Sequence, residues 1–190
     1  KSEQLEVLAK QLRQKGVRRI NKLIANDGYF KGEAVEPSWM WEDIQFYYGA
    51  PVNSLMLNEN AAVIRLYPQK VGRRLLLKWD NPLDASGWKV VNQTVTSRKG
   101  TKKYIEVKRD LKGQILYLKG QVPEGSRPDV TAIAVINPIQ NFLTHFRQSL
   151  VKQGISVAGG YRRTTKTTGR ELTAVQSPPL SELIPKTTIN

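Results

Sequence analysis

The residues that first suggest chemistry are Ser149 and Lys152, which stand at the spacing S-x-x-K. In acyl-transferring enzymes with this pattern the serine hydroxyl is the nucleophile and the lysine lies one helical turn away. A chain with ten Ser and seventeen Lys produces about one such match by chance. Ser149 also falls late in its predicted helix, whereas a nucleophile is favoured at a helix N-terminus. We therefore interpret this match as accidental.

The other patterns that could support catalysis are weaker. The run KTTG at residues 166–169 is one residue longer than the K-T-G pattern that accompanies S-x-x-K, and no S-x-N occurs in the chain. The single histidine, His145, is predicted to lie on the polar side of a helix and to face solvent. The absence of Cys excludes thiol catalysis and zinc–thiolate sites. We therefore predict no catalytic residue, no metal site and no cofactor in this chain.

Among the acids, Asp27 is the residue that we single out. It follows an apolar segment predicted as a strand and opens a turn in the run ANDGYF at residues 25–30. An Asp in such a position commonly bonds its own backbone in an Asx turn. The sequence alone therefore leaves both a structural and a functional role open for Asp27.

The charge of the chain points to an anionic partner. Lys and Arg total 30 against 16 Asp and Glu, which gives a net charge of +14. Residues 65–127 hold fifteen of the cations and only five acids, so this segment alone carries +10. Such a surface attracts nucleic acid, anionic lipid or an anionic wall polymer, or it is simply a solvated basic surface. We take Lys99, Lys102 and Lys103 as the candidate contacts to a polyanion.

Composition and hydropathy exclude two classes of protein. A hydrophobic fraction of 39% with four Trp is too apolar for a disordered chain, and no apolar run is long enough to cross a bilayer. Aromatic residues gather at residues 39–48, where Trp39 and Trp41 could stack on bases or pack in a core. We favour packing, because few of these aromatics alternate with basic residues.

Two similar helix–strand units flank the middle of the sequence. Residues 2–15 place apolar side chains on one helical face, and residues 17–25 are then predicted as a strand. The second unit begins at Asn137, the predicted cap of a helix over residues 138–153, and continues in a strand at 155–161. We expect the two units to form one α/β layer.

The middle of the chain is predicted to form short strands separated by turns, one of them at Lys112-Gly113. Residues 103–120 alternate polar and apolar side chains around that turn, which is typical of a hairpin. We predict an α+β fold. Residues 1–62 and 126–165 form the α/β layer, residues 63–125 form a small, basic, antiparallel β domain nested within it, and residues 166–190 are a linker and the start of a further domain.

Several stretches together resemble one family. The run WMWEDIQFYYGAPVNSLMLNEN at residues 39–60 fits the pattern W-x-W-x-D-x-x-x-x-Y-x-A-P-x-x-x-L-x-x-N-x-N of class C low-molecular-mass penicillin-binding proteins. These proteins are D-alanyl-D-alanine carboxypeptidases and endopeptidases of the serine, S-x-x-K type. Further similar stretches are LIANDGYF at 23–30, VVNQTVT at 90–96, INP at 136–138, GISVAG at 154–159 and QSPPLSEL at 176–183.

The resemblance implies a role outside the catalytic centre. In that family a long insertion of two extra domains, one nested in the other, divides the catalytic domain between its S-x-x-K and its later motifs. This chain is then expected to be the insertion, inactive alone, in a periplasmic or otherwise extracytoplasmic protein. Its parent would hydrolyse D-Ala-D-Ala through an acyl-serine intermediate during peptidoglycan maturation.

The resemblance also implies a binding site. An acid of the family's larger insertion domain is implicated in holding the free amine of the peptidoglycan stem peptide, and Asp27 matches that stretch best. A carboxylate facing an ammonium group makes a charge-assisted hydrogen bond, and Tyr29 and Trp39 are expected to wall the pocket.

Two other classes of function remain open at this point. The charge and the aromatics allow a basic nucleic-acid-binding module, which the lack of an aromatic–basic strand pattern disfavours. The third class is a scaffold domain without a ligand.

Overall fold

The computed structural model describes residues 2–35, 37–40, 42–110, 115–166 and 168–179. In these ranges the chain forms two α-helices, α1 (Ser2–Gln14) and α2 (Pro138–Lys152). Its strands are β1 (Arg19–Ile20), β2 (Leu23–Asn26), β3 (Ala61–Tyr67), β4 (Leu76–Trp79), β5 (Lys89–Ser97), β6 (Tyr104–Arg109), β7 (Ile115–Pro123), β8 (Asp129–Ala134), β9 (Ser156–Val157) and β10 (Tyr161–Thr164). Helices and several small sheets together confirm the predicted α+β class. The predicted turn at Lys112-Gly113, Trp41 and residues 180–190 lie outside the described residues.

Both helices form where the apolar periodicity predicts them. On α1, Leu5 and Ala9 stand one turn apart and are buried. On α2, the side-chain oxygen of Asn137 accepts a hydrogen bond of 3.0 Å from the backbone N–H of Gln140, as the predicted cap requires. The helices pack against each other around the first of two cores, which we call the α/β core. Its buried members are Ala9, Leu23, Ala25, Leu143, Leu150, Ile155 and Val157.

The strand predicted over residues 17–25 is divided in two. β1 pairs with β9 and β2 pairs with β10, and both pairs are parallel. The polar, exposed Asn21 and Lys22 separate the two strands and interrupt the apolar pattern. Each helix–strand unit thus contributes one strand to each parallel pair, which joins the units in one layer as expected.

The middle of the chain builds two three-stranded sheets with the orders β4-β3-β8 and β5-β7-β6. The first sheet is antiparallel throughout, and β8 pairs with β3 from Ala61↔Ala134 to Leu66↔Asp129. The sheets enclose a second core, the β core. Its buried members are Ala62, Ile64, Leu66, Leu75, Val107, Leu116, Leu118, Val122, Ile133 and Val135. The residue boundaries proposed for the domains stay a prediction.

The predicted hairpin is confirmed, but one pair of strands departs from the predicted antiparallel arrangement. β6 and β7 are antiparallel, whereas β5 and β7 are parallel from Lys89↔Ile115 to Ser97↔Pro123. A simple meander would place β6 in the centre, but β7 lies there instead. β7 carries Leu116, Leu118 and Val122, all fully buried, and a central strand covers such side chains better than an edge strand does.

The prediction that His145 faces solvent is wrong. Its side chain is only 4% exposed, and its Nε2 lies 2.7 Å from Oδ1 of Asp84, which is itself 8% exposed. Asp84 belongs to the short 3₁₀ turn Pro82–Ala85 between β4 and β5. Because this turn covers α2, a position that the helical pattern marks as polar is buried at the junction of the two halves of the fold.

Candidate functional site

The loop that carries Asp27 is fixed by the parallel pair β2–β10. Asn26 is in register with Thr164, and the N–H of Asp27 donates a hydrogen bond of 2.9 Å to the Thr164 carbonyl oxygen. A Cβ atom at Gly28 would lie 2.5 Å from the Thr165 carbonyl oxygen, so no larger residue fits there without a backbone shift. The Asn26 side chain accepts a hydrogen bond from Gly28 N–H. The Asx turn therefore belongs to Asn26, and the Asp27 carboxylate is left for other contacts.

The Asp27 carboxylate bridges two segments that are distant in sequence. Oδ1 accepts a hydrogen bond of 2.9 Å from the backbone N–H of Ser54, and Oδ2 lies 2.9 Å from the Arg163 guanidinium. The Asp27 side chain is only 9% exposed, while that of Arg163 is 64% exposed. One oxygen is thus bound to backbone, and the other is bound to a cation at the surface. Because the Arg163 side chain is exposed to solvent, another cation that replaces it would keep the buried carboxylate paired.

Two aromatic residues, Tyr29 and Phe30, bond to the same Ser54 whose N–H anchors this carboxylate. The hydroxyl oxygen of Ser54 accepts hydrogen bonds from the N–H groups of Tyr29 and Phe30, at 3.2 and 3.5 Å. The two rings meet edge to face at 5.1 Å, and Tyr29 is 84% exposed. Trp39 is half-buried, and no hydrogen bond or ring contact within the described ranges joins it to Asp27 or Tyr29. The structure thus brings Tyr29 to the Asp27 site and leaves the placement of Trp39 there a prediction.

The second candidate site is a cluster of cations at one end of the β sheets. Three loops meet there, at residues 68–75, 98–103 and 124–128, and we call this surface the basic end. Gly72 and Arg73 exchange backbone hydrogen bonds of 2.9 and 2.7 Å with Thr96, and Glu124 N–H donates to the Ser97 carbonyl oxygen at 2.9 Å. The exposed cations of the three loops are Lys70, Arg73, Arg74, Arg98, Lys99, Lys102, Lys103 and Arg127.

The basic end includes the three lysines predicted from the sequence. Among its cations in the described part of the chain, only Lys103 has an ion pair, at 2.9 Å with Asp129. Lys99 and Lys102 are exposed and have no ion pair within the described ranges. The sequence places Arg73 and Arg74 in the basic segment 65–127 but does not place them beside the lysines, because they precede Lys99 by some 25 residues. The backbone hydrogen bonds of Gly72 and Arg73 to Thr96 bring them to the same surface.

The two residues of the accidental S-x-x-K match, Ser149 and Lys152, both lie on α2. Ser149 is buried in the last turns of α2. The Lys152 ammonium lies 3.0 Å from a carboxylate oxygen of Glu6 on α1.

No group of residues able to hold a metal ion occurs among the described residues, and none of the helices there could span a membrane.

A comparison with models of protein families identifies the family of this chain. A model of the D-Ala-D-Ala carboxypeptidase 3 (S13) family matches residues 1–188. The chain belongs to this family. The resemblance found in residues 23–30 and 39–60 is therefore confirmed. A comparison with curated protein sequences finds no significant match.

Solved structures show that the fold also occurs in penicillin-binding proteins. The chain is similar to penicillin binding protein 4 (dacB) from Haemophilus influenzae, with a TM-score of 0.78 at 19% sequence identity over 97% of this chain. The same protein complexed with a novel β-lactam gives a TM-score of 0.66 at 17% identity over 97% of this chain. The S13-family chain spans 41% and 38% of those two chains, respectively.

Proposed function

We propose that this S13-family chain is the non-catalytic insertion region of a serine-type D-Ala-D-Ala carboxypeptidase or endopeptidase. Its role is to shape the substrate cleft during peptidoglycan maturation outside the cytoplasm. The domain division that we propose is residues 1–62 with 126–165, residues 63–125, and residues 166–190. Family membership over residues 1–188 supports this placement, as does the likeness of the fold to less than half of a penicillin-binding protein.

The observation that carries the proposal is the arrangement at Asp27. Its carboxylate is anchored through Ser54 N–H, and its second oxygen is paired with the exposed Arg163. An ammonium group of a stem peptide would replace Arg163 at this oxygen. It would gain a charge-assisted hydrogen bond, with the exposed Tyr29 ring beside it. Trp39 is proposed as a further wall of this pocket.

The experiment for the Asp27 site uses the full-length protein that contains this chain. Asp27→Asn keeps an oxygen for Ser54 N–H but removes the negative charge. We expect it to lower kcat/KM for a stem peptide with a free side-chain amine by about tenfold, which corresponds to a loss of roughly 1.4 kcal/mol of binding free energy in the transition state. The same substrate with its amine acetylated should be cleaved equally by both proteins.

Arg163→Gln is the matched variant for this experiment. It removes the competing cation, so the amine substrate should be cleaved at least as well as by the unaltered protein. Loss of activity on both substrates in Asp27→Asn would assign the residue a structural role and would contradict amine recognition.

The catalytic assignment is tested separately with fluorescent penicillin. We expect the full-length protein to be labelled through a serine outside this chain, and the 190-residue chain to remain unlabelled. Labelling of the chain itself would mean that a serine of this chain, such as Ser149, is a nucleophile and that the insertion assignment is wrong.

We propose further that the basic end contacts an anionic wall polymer. This surface has eight exposed cations against two acids, Glu124 and Asp129. Replacing Lys99, Lys102 and Lys103 together by Ala should reduce sedimentation of the chain with peptidoglycan that retains its anionic polymers.

The matched control for the polymer experiment replaces Lys10, Lys15 and Lys22, which are equally exposed and lie in the other half of the fold. An equal reduction by both triple variants would show that net charge alone causes the binding. Unchanged sedimentation of the first variant would contradict the contact.

A further inference from the structure

A groove of about 540 Å³ runs between the two sheets of the β core, and no role has been assigned to it. One wall is strand β6, all of whose residues from 105 to 109 line the groove. The other wall is the segment 44–46, where Phe46 forms an antiparallel bridge with Ile133 of β8. Apolar side chains form the floor, since Phe46 and Ile105 both pack against the β core. We call this feature the edge groove.

The backbone of β6 has hydrogen-bonding groups directed into the edge groove. β6 is the edge strand of its sheet, and residues of an antiparallel strand alternate between bonding their partner and pointing away from it. The N–H of Arg109 points away from β7, because it donates to Oε1 of Gln45 at 3.0 Å. By this alternation, the N–H and C=O groups of Ile105 and Val107 also point away from β7. An edge of this kind is a template for one more strand.

The side chain of Arg109 places a cation inside the same groove. It lies on the same face of β6 as Ile105 and Val107, which is the face that packs on the β core. The guanidinium is half-buried, and within the described ranges it has no ion pair. Loss of contact with water lowers the pKa of Arg109, which nearby Asp110 offsets only in part. A half-buried cation that has no ion pair among the described residues favours the binding of an anion.

Gln45 adds a second donor at the same end of the edge groove. Its backbone carbonyl oxygen accepts from Ala134 N–H at 2.9 Å, and its Oε1 accepts from Arg109 N–H. These two bonds hold the residue across the gap between the sheets. With Oε1 occupied, the Nε2 group is the remaining donor of the side chain, and it stands close to the end of β6.

Besides Arg109, one lysine and two acids line the edge groove. Lys108 lies 2.6 Å from Glu106, and Glu42 stands near the same lysine. With Arg109 included, the two cations and two acids of the lining balance, and Arg109 is the cation that has no ion pair within the described ranges. A ligand with many negative charges gains little here, whereas one carboxylate at the Arg109 end is matched by the guanidinium and by Gln45.

We propose that the edge groove binds an extended apolar peptide with a free C-terminal carboxylate. The peptide adds to β6 as a parallel strand, bonds the backbone of Ile105 and Val107, and places its carboxylate against Arg109 and Gln45. From Ile105 to Arg109 the strand spans about 14 Å, enough for four or five peptide residues. This inference does not depend on the proposed function, because it rests on the groove and on Arg109 alone.

The test is a fluorescence anisotropy titration of the 190-residue chain with a labelled L-peptide, Thr-Val-Thr-Val-Thr-Val, ending in a free carboxylate. We expect saturable binding that weakens at least tenfold when the terminus is an amide. Binding should also weaken at least tenfold when the alternate amides that face β6 are N-methylated. These peptide comparisons use the unaltered chain, so they hold whether or not a variant folds.

Two variants separate the groove from the general positive charge. Arg109→Gln should abolish the difference between the acid and the amide peptide. Arg98→Gln, an equal loss of charge at the basic end, should preserve that difference.

Five results would overturn the proposal, and four of them come from these titrations. They are no saturable binding up to about 1 mM, equal binding of the acid and the amide, equal effects of the two variants, and undiminished binding of the N-methylated peptide. A peptide ending in D-Ala-D-Ala that binds in place of the L-peptide would also overturn it, because strand pairing requires L-residues in register.

Discussion

The hydrogen bond between His145 and Asp84 should contribute strongly to stability, because both side chains are buried. The side-chain oxygen of Asn81 accepts a hydrogen bond from Leu83 N–H, so the Nδ2 group of Asn81 faces His145 Nδ1 at 3.5 Å. An amide donor on Nδ1 leaves the proton on Nε2, which then donates to the Asp84 carboxylate. His145→Ala removes that donor. Within the described ranges, the Asp84 carboxylate is then left without a partner.

The expected loss follows from the burial of the pair. Breaking a buried, charge-assisted bond by removing one partner costs about 2–4 kcal/mol. For a chain of this size, 1 kcal/mol corresponds to a change in Tm of about 2–4 °C, so the Tm should fall by roughly 4–16 °C. The assay is urea unfolding followed by circular dichroism, which gives the free energy of unfolding directly.

A double-mutant cycle isolates the bond from the loss of packing. Asp84→Ala and the double variant complete the cycle, and the coupling energy should be about 1–3 kcal/mol. Gln148→Ala, at an exposed position of the same helix, is the control and should change stability by less than about 0.5 kcal/mol. Additive effects of the two alanine substitutions would refute the reasoning, because they would mean that the residues stabilise the fold independently.

Two further predictions concern the β sheets. Gly120 has φ +123°, and a Cβ there would lie 2.3 Å from the Tyr104 carbonyl oxygen. Gly120→Ala should therefore lower the free energy of unfolding in urea by more than about 2 kcal/mol. The control Gly100→Ala, where nothing lies within 4 Å of the added Cβ, should lower it by about 1 kcal/mol. Equal costs would contradict the steric argument. The Arg65 guanidinium, bonded to Asp80 at 2.6 and 2.8 Å, holds the pKa of that carboxyl below its ordinary value. Asp80 therefore stabilises the fold fully above the pKa of the unfolded carboxyl, and this stabilisation is lost as the pH falls through the lower pKa of the folded state. The difference in free energy of unfolding between the wild type and Asp80→Asn should thus shrink below about pH 4. A difference that stays constant down to pH 2 would rule out this linkage.

Local patterns predicted the elements of the fold well. The periodic apolar positions of both helices, the cap at Asn137 and the alternation in residues 103–120 each depend on neighbours within a few residues. The structure has α1, α2 and the β6–β7 hairpin at those places. The parallel pairing of β5 with β7 could not be predicted in this way, because it depends on which strand takes the centre of the sheet.

The site residues show the same division. Asp27 could be selected from its place after a strand, but its partners Ser54 and Arg163 come from segments 27 and 136 positions away, which no local pattern connects. His145 was predicted to be exposed, since a helical pattern counts only the helix's own residues. The turn that buries it lies some 60 residues earlier in the chain.

By itself the sequence determined the class of fold, the excess of positive charge, the absence of thiol chemistry and, through residues 23–30 and 39–60, the family. These properties can be inferred from single residues or short runs, so they do not require knowing which distant segments pack together. The tertiary structure alone decided that three loops form one basic end, that Arg163 occupies the Asp27 carboxylate and that Arg109 enters a groove between two sheets. Each of these depends on bringing together groups that are far apart in sequence, and the burial of two separate cores is what holds them there.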